Sequence, residues 1–188
     1  MNKPQNPATR IITGKVRFSY AHLFEPRASA EGAEPRYSLC VLIDKSDKET
    51  LTKVKAAFAA AEALGVQTVW QGKKPATYKY PVVRDGDVER PDSEGYAGCW
   101  FINANAKSQP AVVDANVQPI LDRNEVYSGC YGRVSLNFYP YNQAGNKGIG
   151  CGLGNVQKLA DGESLGGRTK PEDDFGAAAE TDDLPWDK

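Results

Sequence analysis

The sequence predicts a mainly β domain, a small barrel with one α-helix between its strands, followed by a disordered acidic tail. Three observations carry that expectation. Short runs of alternating apolar and polar residues recur between positions 11 and 159. One stretch, residues 47–64, has helical rather than strand periodicity. Beyond position 167 the periodicity and most aliphatic residues disappear while acids accumulate.

The elements follow in order. Residues 1–9 read as a flexible arm, and residues 10–167 as the folded domain. Val16, Phe18 and Tyr20 alternate with Lys15, Arg17 and Ser19, marking a half-buried strand whose apolar set points inward. Residues 25–35, rich in Ala, Gly, Pro and charge, read as a loop, and Tyr37, Leu39, Val41 and Ile43 mark a second strand. Ser46 and Glu49 fit a capping box, in which each satisfies an orphan backbone donor of the other. Leu51, Val54, Phe58 and Ala61 then form one apolar stripe, and Gly65 is placed to end the helix.

Residues 66–95 interleave Trp70, Tyr78 and Tyr80 with Lys73, Lys74 and Lys79, which suggests a basic, aromatic flap. Asp85-Gly86 reads as a tight hairpin turn needing positive φ. Further on, Trp100, Ile102 and Ala104 alternate with Phe101, Asn103, Asn105 and Lys107, and residues 111–113 form a short apolar strand. Residues 126–141 are the longest strand region, with 147–159 as hairpin partner across 142–146. Gly148, Gly150, Gly152 and Gly154 fall inside that partner strand and imply close backbone packing or bulges.

Charge is unevenly distributed. Residues 171–188 carry seven acids and one base, a net of −6, whereas the other 170 residues carry 17 acids and 22 bases, a net of +5. A basic body with an acidic end points to a polyanionic partner for the body and an internal competitor in the tail. Neither a secretory leader nor a membrane span is expected, because no apolar run is long enough. A cytoplasmic protein follows. Cys40, Cys99, Cys130 and Cys151 are scattered singly in strand-like stretches, the pattern of reduced packing thiols rather than a metal site.

The most informative strand runs through Val134, Leu136 and Phe138, an apolar inner set. Its other face presents Tyr131, Arg133, Ser135, Asn137, Tyr139 and Tyr141. Bases stack on aromatic rings without regard to sequence while cations hold phosphates, so such a face suits single-stranded nucleic acid. The alternative is that these tyrosines pack under a loop or in a homodimer interface. Lys15 and Arg17 on one strand, Phe101 and Lys107 on another, and Trp70, Lys73, Lys74 and Tyr78 in the flap add to the DNA-binding set. In the tail, Asp182, Asp183, Leu184, Pro185 and Trp186 form an acidic motif ending in an apolar plug, suited to partner binding.

Catalytic constellations are weak. Asp85, Asp87 and Glu89 alternate as a nuclease metal site would, but the turn accounts for them more simply. The Gly-rich stretch at 148–154 lacks the Lys-Ser/Thr of a phosphate-binding loop. No cofactor, no metal and no catalytic residue is expected.

The stretch 127–141, with Lys147-Gly148-Ile149 and residues 152–157, resembles the phage and prophage single-stranded DNA-binding proteins, a family similar in design to the DNA-binding protein of T7-like phages. The resemblance implies an oligonucleotide/oligosaccharide-binding (OB-fold-like) barrel with a helix between strands and elaborated loops. The tail resembles the acidic tip of bacterial single-stranded DNA-binding proteins, which ends Asp-Asp-Ile-Pro-Phe; here Asp187 and Lys188 follow the aromatic Trp186. The resulting expectation is a non-enzymatic protein that coats single-stranded DNA in phage replication or recombination. Its tail would compete with DNA and recruit phage or host replication and recombination proteins. A strand-annealing recombination protein and a metal-dependent nuclease are the alternatives.

Overall fold

The computed structural model describes residues 7–166. The acidic tail and its terminal motif lie outside the described residues, as does most of the N-terminal arm. Residues 7–9 correct that arm: they form a 3-10 turn, and the buried Thr9 hydroxyl donates to Asn137 Oδ1 at 2.9 Å.

Eleven further elements follow: β1 (Arg10–Ile12), β2 (Val16–Arg27), β3 (Arg36–Asp44), α1 (Lys48–Thr68), β4 (Val83–Asp85), the one-turn α2 (Gly86–Glu89), β5 (Cys99–Ala106), β6 (Val112–Val113), a second 3-10 turn (Arg123–Glu125), β7 (Tyr131–Gln143) and β8 (Asn146–Ala160). β2, β3 and β5 pair antiparallel in sequence order. β5 then meets β8 in parallel, β8 pairs antiparallel with β7, and β7 returns to β2. The circuit closes on itself, giving a five-stranded barrel with the strand order and single parallel junction of an OB-like fold.

Alternation explains the inside. Val16, Phe18, Leu39, Val41, Ile43, Ile102, Ala104, Val134, Leu136, Phe138, Ile149 and Cys151 are all buried in one core. The β7–β8 hairpin is tighter than the five-residue loop expected from sequence. Gln143 pairs with Asn146, so only Ala144 and Gly145 turn the chain, both at positive φ (49° and 80°). Two consecutive left-handed residues suit the right-handed twist of the strands that they join.

The helix begins one residue later than the capping box implies. Asp47, not Ser46, is the N-cap, its side chain accepting from Thr50 N at 3.0 Å, while the Ser46 hydroxyl donates to Asp44. Gly65 does not end the helix, which runs on to Thr68. It is glycine for space: a Cβ there would lie 2.7 Å from Trp70 and 2.8 Å from Pro140. Val54, Ala57 and Ala61 form the buried centre of the stripe, whereas Leu51 and Phe58 sit at its half-buried edge.

Asp85-Gly86 is likewise not a hairpin turn. Asp85 caps α2, accepting from Asp87 N at 3.0 Å, and Gly86 is pressed against the carbonyls of Tyr96 and Cys99. Tyr20 departs most from the expected pattern. A register shift in β2 between Ser19 and His22, with Tyr20 at φ 44°, turns its ring outward to 57% exposure. One irregular residue is enough to invert the facing that alternation assigns. Among the described residues no helix is long and apolar enough to cross a membrane.

Candidate nucleic-acid interface

Strand register builds the outer surface of the barrel. Arg10 pairs with Asn137, Asn137 with Gly152, Gly152 with Asn105, Asn105 with Ser38, and Ser38 with His22. One polar row therefore runs around the barrel, across β1, β7, β8, β5, β3 and β2.

On the β7–β8 side of that row, the tyrosines lie across glycines. A Cβ at Gly150 would fall 2.5 Å from Tyr139 Cζ, and one at Gly148 would fall 2.5 Å from the Tyr141 hydroxyl. The glycines of β8 thus make room for the two rings to lie close over its backbone. Gly154 faces Ser135 in the same way, a Cβ there falling 2.1 Å from Ser135 Oγ, whereas a Cβ at Gly152 would meet Asn137 only at ordinary contact distance. Tyr139 remains 37% exposed. Its burial pushes the phenol upward from the ordinary value, against the opposing Arg36 guanidinium, so it is neutral at neutral pH.

On the β2–β3–β5 side the row borders a cavity of about 510 Å³ beneath the loop of residues 28–35. Tyr20, His22, Arg27, Arg36, Ser38 and Asn105 contribute to its lining. Arg36 donates to Asn105 Oδ1 at 3.1 Å, and Glu34 is shared between Arg36 (3.5 Å) and Lys107 (3.4 Å). Burial first, and then the Arg27 guanidinium, hold His22 below the ordinary imidazole value, so His22 is neutral and the arginines supply the charge. Alternation hid Tyr20 from sequence reasoning by assigning it to the core. Arg27 falls inside the 25–35 stretch that composition assigns to a loop, whereas it ends β2 and pairs with Arg36 at the start of β3, a juxtaposition that sequence spacing does not show.

The other expected residues separate into groups. Tyr131 is eight residues from Tyr139 along β7, about 27 Å of strand, so the two rings cannot form one platform. Lys15 and Arg17 lie over the Tyr131 ring, 5.2 and 5.4 Å from its centroid. Arg17 also donates to the carbonyls of Gly129 (3.1 Å) and Glu163 (2.8 Å), and Leu165 N donates to Ser128 O. This cluster clamps the segment that leads into the tail. Arg133 is exposed and donates to Thr13 O, sharing a separate shallow pocket with Arg10.

Trp70 and Phe101 are corrections, since neither ring is available for stacking. Trp70 is fully buried at the C-terminal end of α1, its indole N–H donating to Tyr141 O at 3.0 Å. Tyr78 packs beside it, edge-on to Phe58, with ring centroids 5.9 Å apart, so the flap folds inward. Lys73 is exposed, and Lys74 pairs with Glu62 at 2.5 Å. Phe101 does face outward from β5, but the 86–98 segment covers that end of the sheet. Tyr96 meets Phe101 edge-on at 5.3 Å and closes a second small core with Cys40 and Leu42.

The nuclease alternative loses its ligands to cations. Lys45 Nζ binds both Asp85 and Asp87 at 2.7 Å, and Arg84 holds Glu89. Hydrogen bonds from Lys45 and then from Gly98 N hold Asp87 below the ordinary carboxylate value.

The family model described as the single-stranded DNA-binding protein of Enterobacter phage Enc34 matches residues 9–185. The chain belongs to this family of phage single-stranded DNA-binding proteins. A curated relative, putative protein p50 of Acyrthosiphon pisum secondary endosymbiont phage 1, is 32% identical over 84% of this chain and 87% of its own length. The Enc34 protein solved in complex with single-stranded DNA superposes with a TM-score of 0.72 at 26% identity, over 88% of this chain and 97% of that one. Gp2.5 of bacteriophage T7, a single-stranded DNA-binding protein, shares the fold with a TM-score of 0.58 at 14% identity, over 92% and 97% of the two chains. Membership places the chain among binding proteins rather than enzymes, in agreement with the occupied carboxylates of Asp85, Asp87 and Glu89.

Proposed function

We propose that this protein coats single-stranded DNA during phage replication or recombination, in the cytoplasm of the bacterial host. The strand would follow the polar row, with bases stacking on Tyr139, Tyr141 and Tyr20 and phosphates held by Arg36, Arg27, Arg10 and Lys107. The observation that carries this is the pair of tyrosine rings laid over the β8 glycines on the same outer face as the Arg36 cluster. Stacking and charge read no base edges, so sequence preference is small. The solved complex of the Enc34 relative with single-stranded DNA supports the reading.

The clamp at Arg17 gives the acidic tail a place in this function. Arg17 pairs with Leu42, four residues along β3 from Ser38 in the polar row. The chain therefore leaves the described fold about 14 Å from the proposed DNA path, at some 3.4 Å per strand residue. Glu172, Asp173 and Asp174 follow within a few residues and compete with phosphates for the same arginines. Displaced by DNA, the tail is free to recruit replication or recombination proteins. Titration of oligo(dT) into the full chain and into a chain lacking residues 171–188, at two salt concentrations, tests both parts. Salt-sensitive binding that tightens on truncation is expected. Absence of binding by the truncated chain at low salt refutes the function, and equal affinities refute the competition.

A further inference from the structure

A groove of about 550 Å³ lies on a different part of the molecule, between α1 and the segment carrying Tyr78, Tyr80, Pro81, Val82 and Val83. Its floor includes Leu51, Val54, Phe58 and Trp100, and Lys48 and Lys55 stand at its helical rim. An internal cavity of about 150 Å³ admits benzene, so this groove has room for an indole with aliphatic neighbours. It also explains why the helical stripe is only half covered: Leu51 and Phe58, which periodicity assigns to the core, border the groove instead.

From this we infer that the groove is the docking site for the chain's own Leu184-Pro185-Trp186, with Asp183 and Asp187 reaching the two lysines. Charge and spacing match. Lys48 and Lys55 are seven residues apart on α1, about 10.5 Å at 1.5 Å per residue. Asp183 and Asp187 bracket the apolar triplet four residues apart, about 13 Å when extended. Among the described residues neither Lys48, whose ammonium donates to Lys45 O at 2.7 Å, nor Lys55 has a carboxylate ion-pair partner, whereas the nearby Lys45, Lys53 and Lys74 are paired.

Reach is sufficient. Leu165 packs against Gly95 beside Arg17. Arg17 pairs with Leu42, and the next rung of the β3–β5 ladder, Ile43 with Trp100, brings in a residue of the groove. The 18 residues from Gly166 to Leu184 span about 23 Å as a flexible coil and about 60 Å at full extension. A strand order that sets the tail exit near both surfaces lets the tip anchor at α1 while the acids before it remain near the DNA path. The docking is independent of whether the polar row binds DNA.

Fluorine NMR of the full chain labelled with 5-fluorotryptophan tests it, because Trp70, Trp100 and Trp186 are the three indoles and Trp100→Phe and Trp186→Phe assign them. The Trp186 resonance is expected away from its position in a synthetic peptide of residues 167–188, and the Trp100 resonance is expected to move when residues 171–188 are deleted. Both should revert to the free positions in a Lys48→Glu/Lys55→Glu chain, whose exposed substitutions preserve the helix, and neither should change on dilution. A Trp186 resonance at the peptide position in the full chain overturns the inference. So does reversion by Arg27→Ala/Arg36→Ala instead of the lysine pair, which places the tip on the DNA face, or reversion on dilution, which places it on another copy.

Discussion

The ring of Tyr139 lies over Gly150, so near that a methyl group on Gly150 would sit 2.5 Å from the ring carbon Cζ. β8 carries glycine at alternate positions opposite the β7 residues that face outward, and two of those are tyrosines. Space for a ring is thereby specified by the neighbouring strand.

That relationship makes Gly150→Ala an informative substitution. The new methyl must displace Tyr139, and overpacking of this kind costs about 1–3 kcal/mol of stability. Binding of oligo(dT), followed by fluorescence anisotropy, is expected to weaken in Gly150→Ala and further in Tyr139→Ala. The latter loses one stacked base, about 1–3 kcal/mol or roughly 5- to 150-fold in affinity.

Arg36 is expected to act through charge. Arg36→Ala should weaken oligo(dT) binding at low salt and flatten the plot of log affinity against log salt by about 0.7, the value for one phosphate contact on a single strand. Lys74→Ala, which removes a cation already paired with Glu62, should leave that slope unchanged.

Much of this was legible in the sequence, for a physical reason. The β7 alternation of Val134, Leu136 and Phe138 against Tyr139 and Tyr141 survives because that strand is buried on one face only, where period two is unambiguous. The glycines of β8 were readable as close packing for the same reason. Tyr20 was hidden because a bulge leaves no mark in composition. Phe101 was correctly placed on the outward side of its strand, but its burial depends on Tyr96, which reaches it through a long connection without periodicity. Trp70 looked like part of a basic flap because lysines follow it, whereas its surroundings come from Gly65 and from Pro140 and Tyr141, distant in sequence.

Trp70 therefore serves as a structural control. Trp70→Ala is expected to cost about 3–5 kcal/mol of folding stability. The milder Trp70→Phe keeps a ring but loses the hydrogen bond to Tyr141 O, and should lower the urea midpoint while leaving oligo(dT) affinity of the folded protein unchanged. A selective loss of affinity without loss of stability would return Trp70 to the DNA path.

Stability is expected to fall at alkaline pH. Burial pushes the Cys40 thiol up to about 11, against an unfolded value near 8.5. The folded state therefore favours the protonated thiol. Its contribution is complete below about pH 8.5 and declines as pH rises toward 11, by at most about 1.4 kcal/mol per unit. Urea denaturation at pH 7 and pH 10 measures the loss. In the native protein at pH 8, the half-buried Cys99 should react with a thiol reagent before the buried Cys40, Cys130 and Cys151.

The central claim is that single-stranded DNA follows the face shared by Tyr20, Arg36 and Tyr139, and photochemical crosslinking of the full chain to bromodeoxyuridine-substituted oligo(dT), with the joined residue identified by mass spectrometry, tests it most directly. Adducts on Tyr139, Tyr141 or Tyr20 are the expected result; adducts confined to Tyr131 or to the α1 groove residues Tyr80 and Trp100 would contradict it.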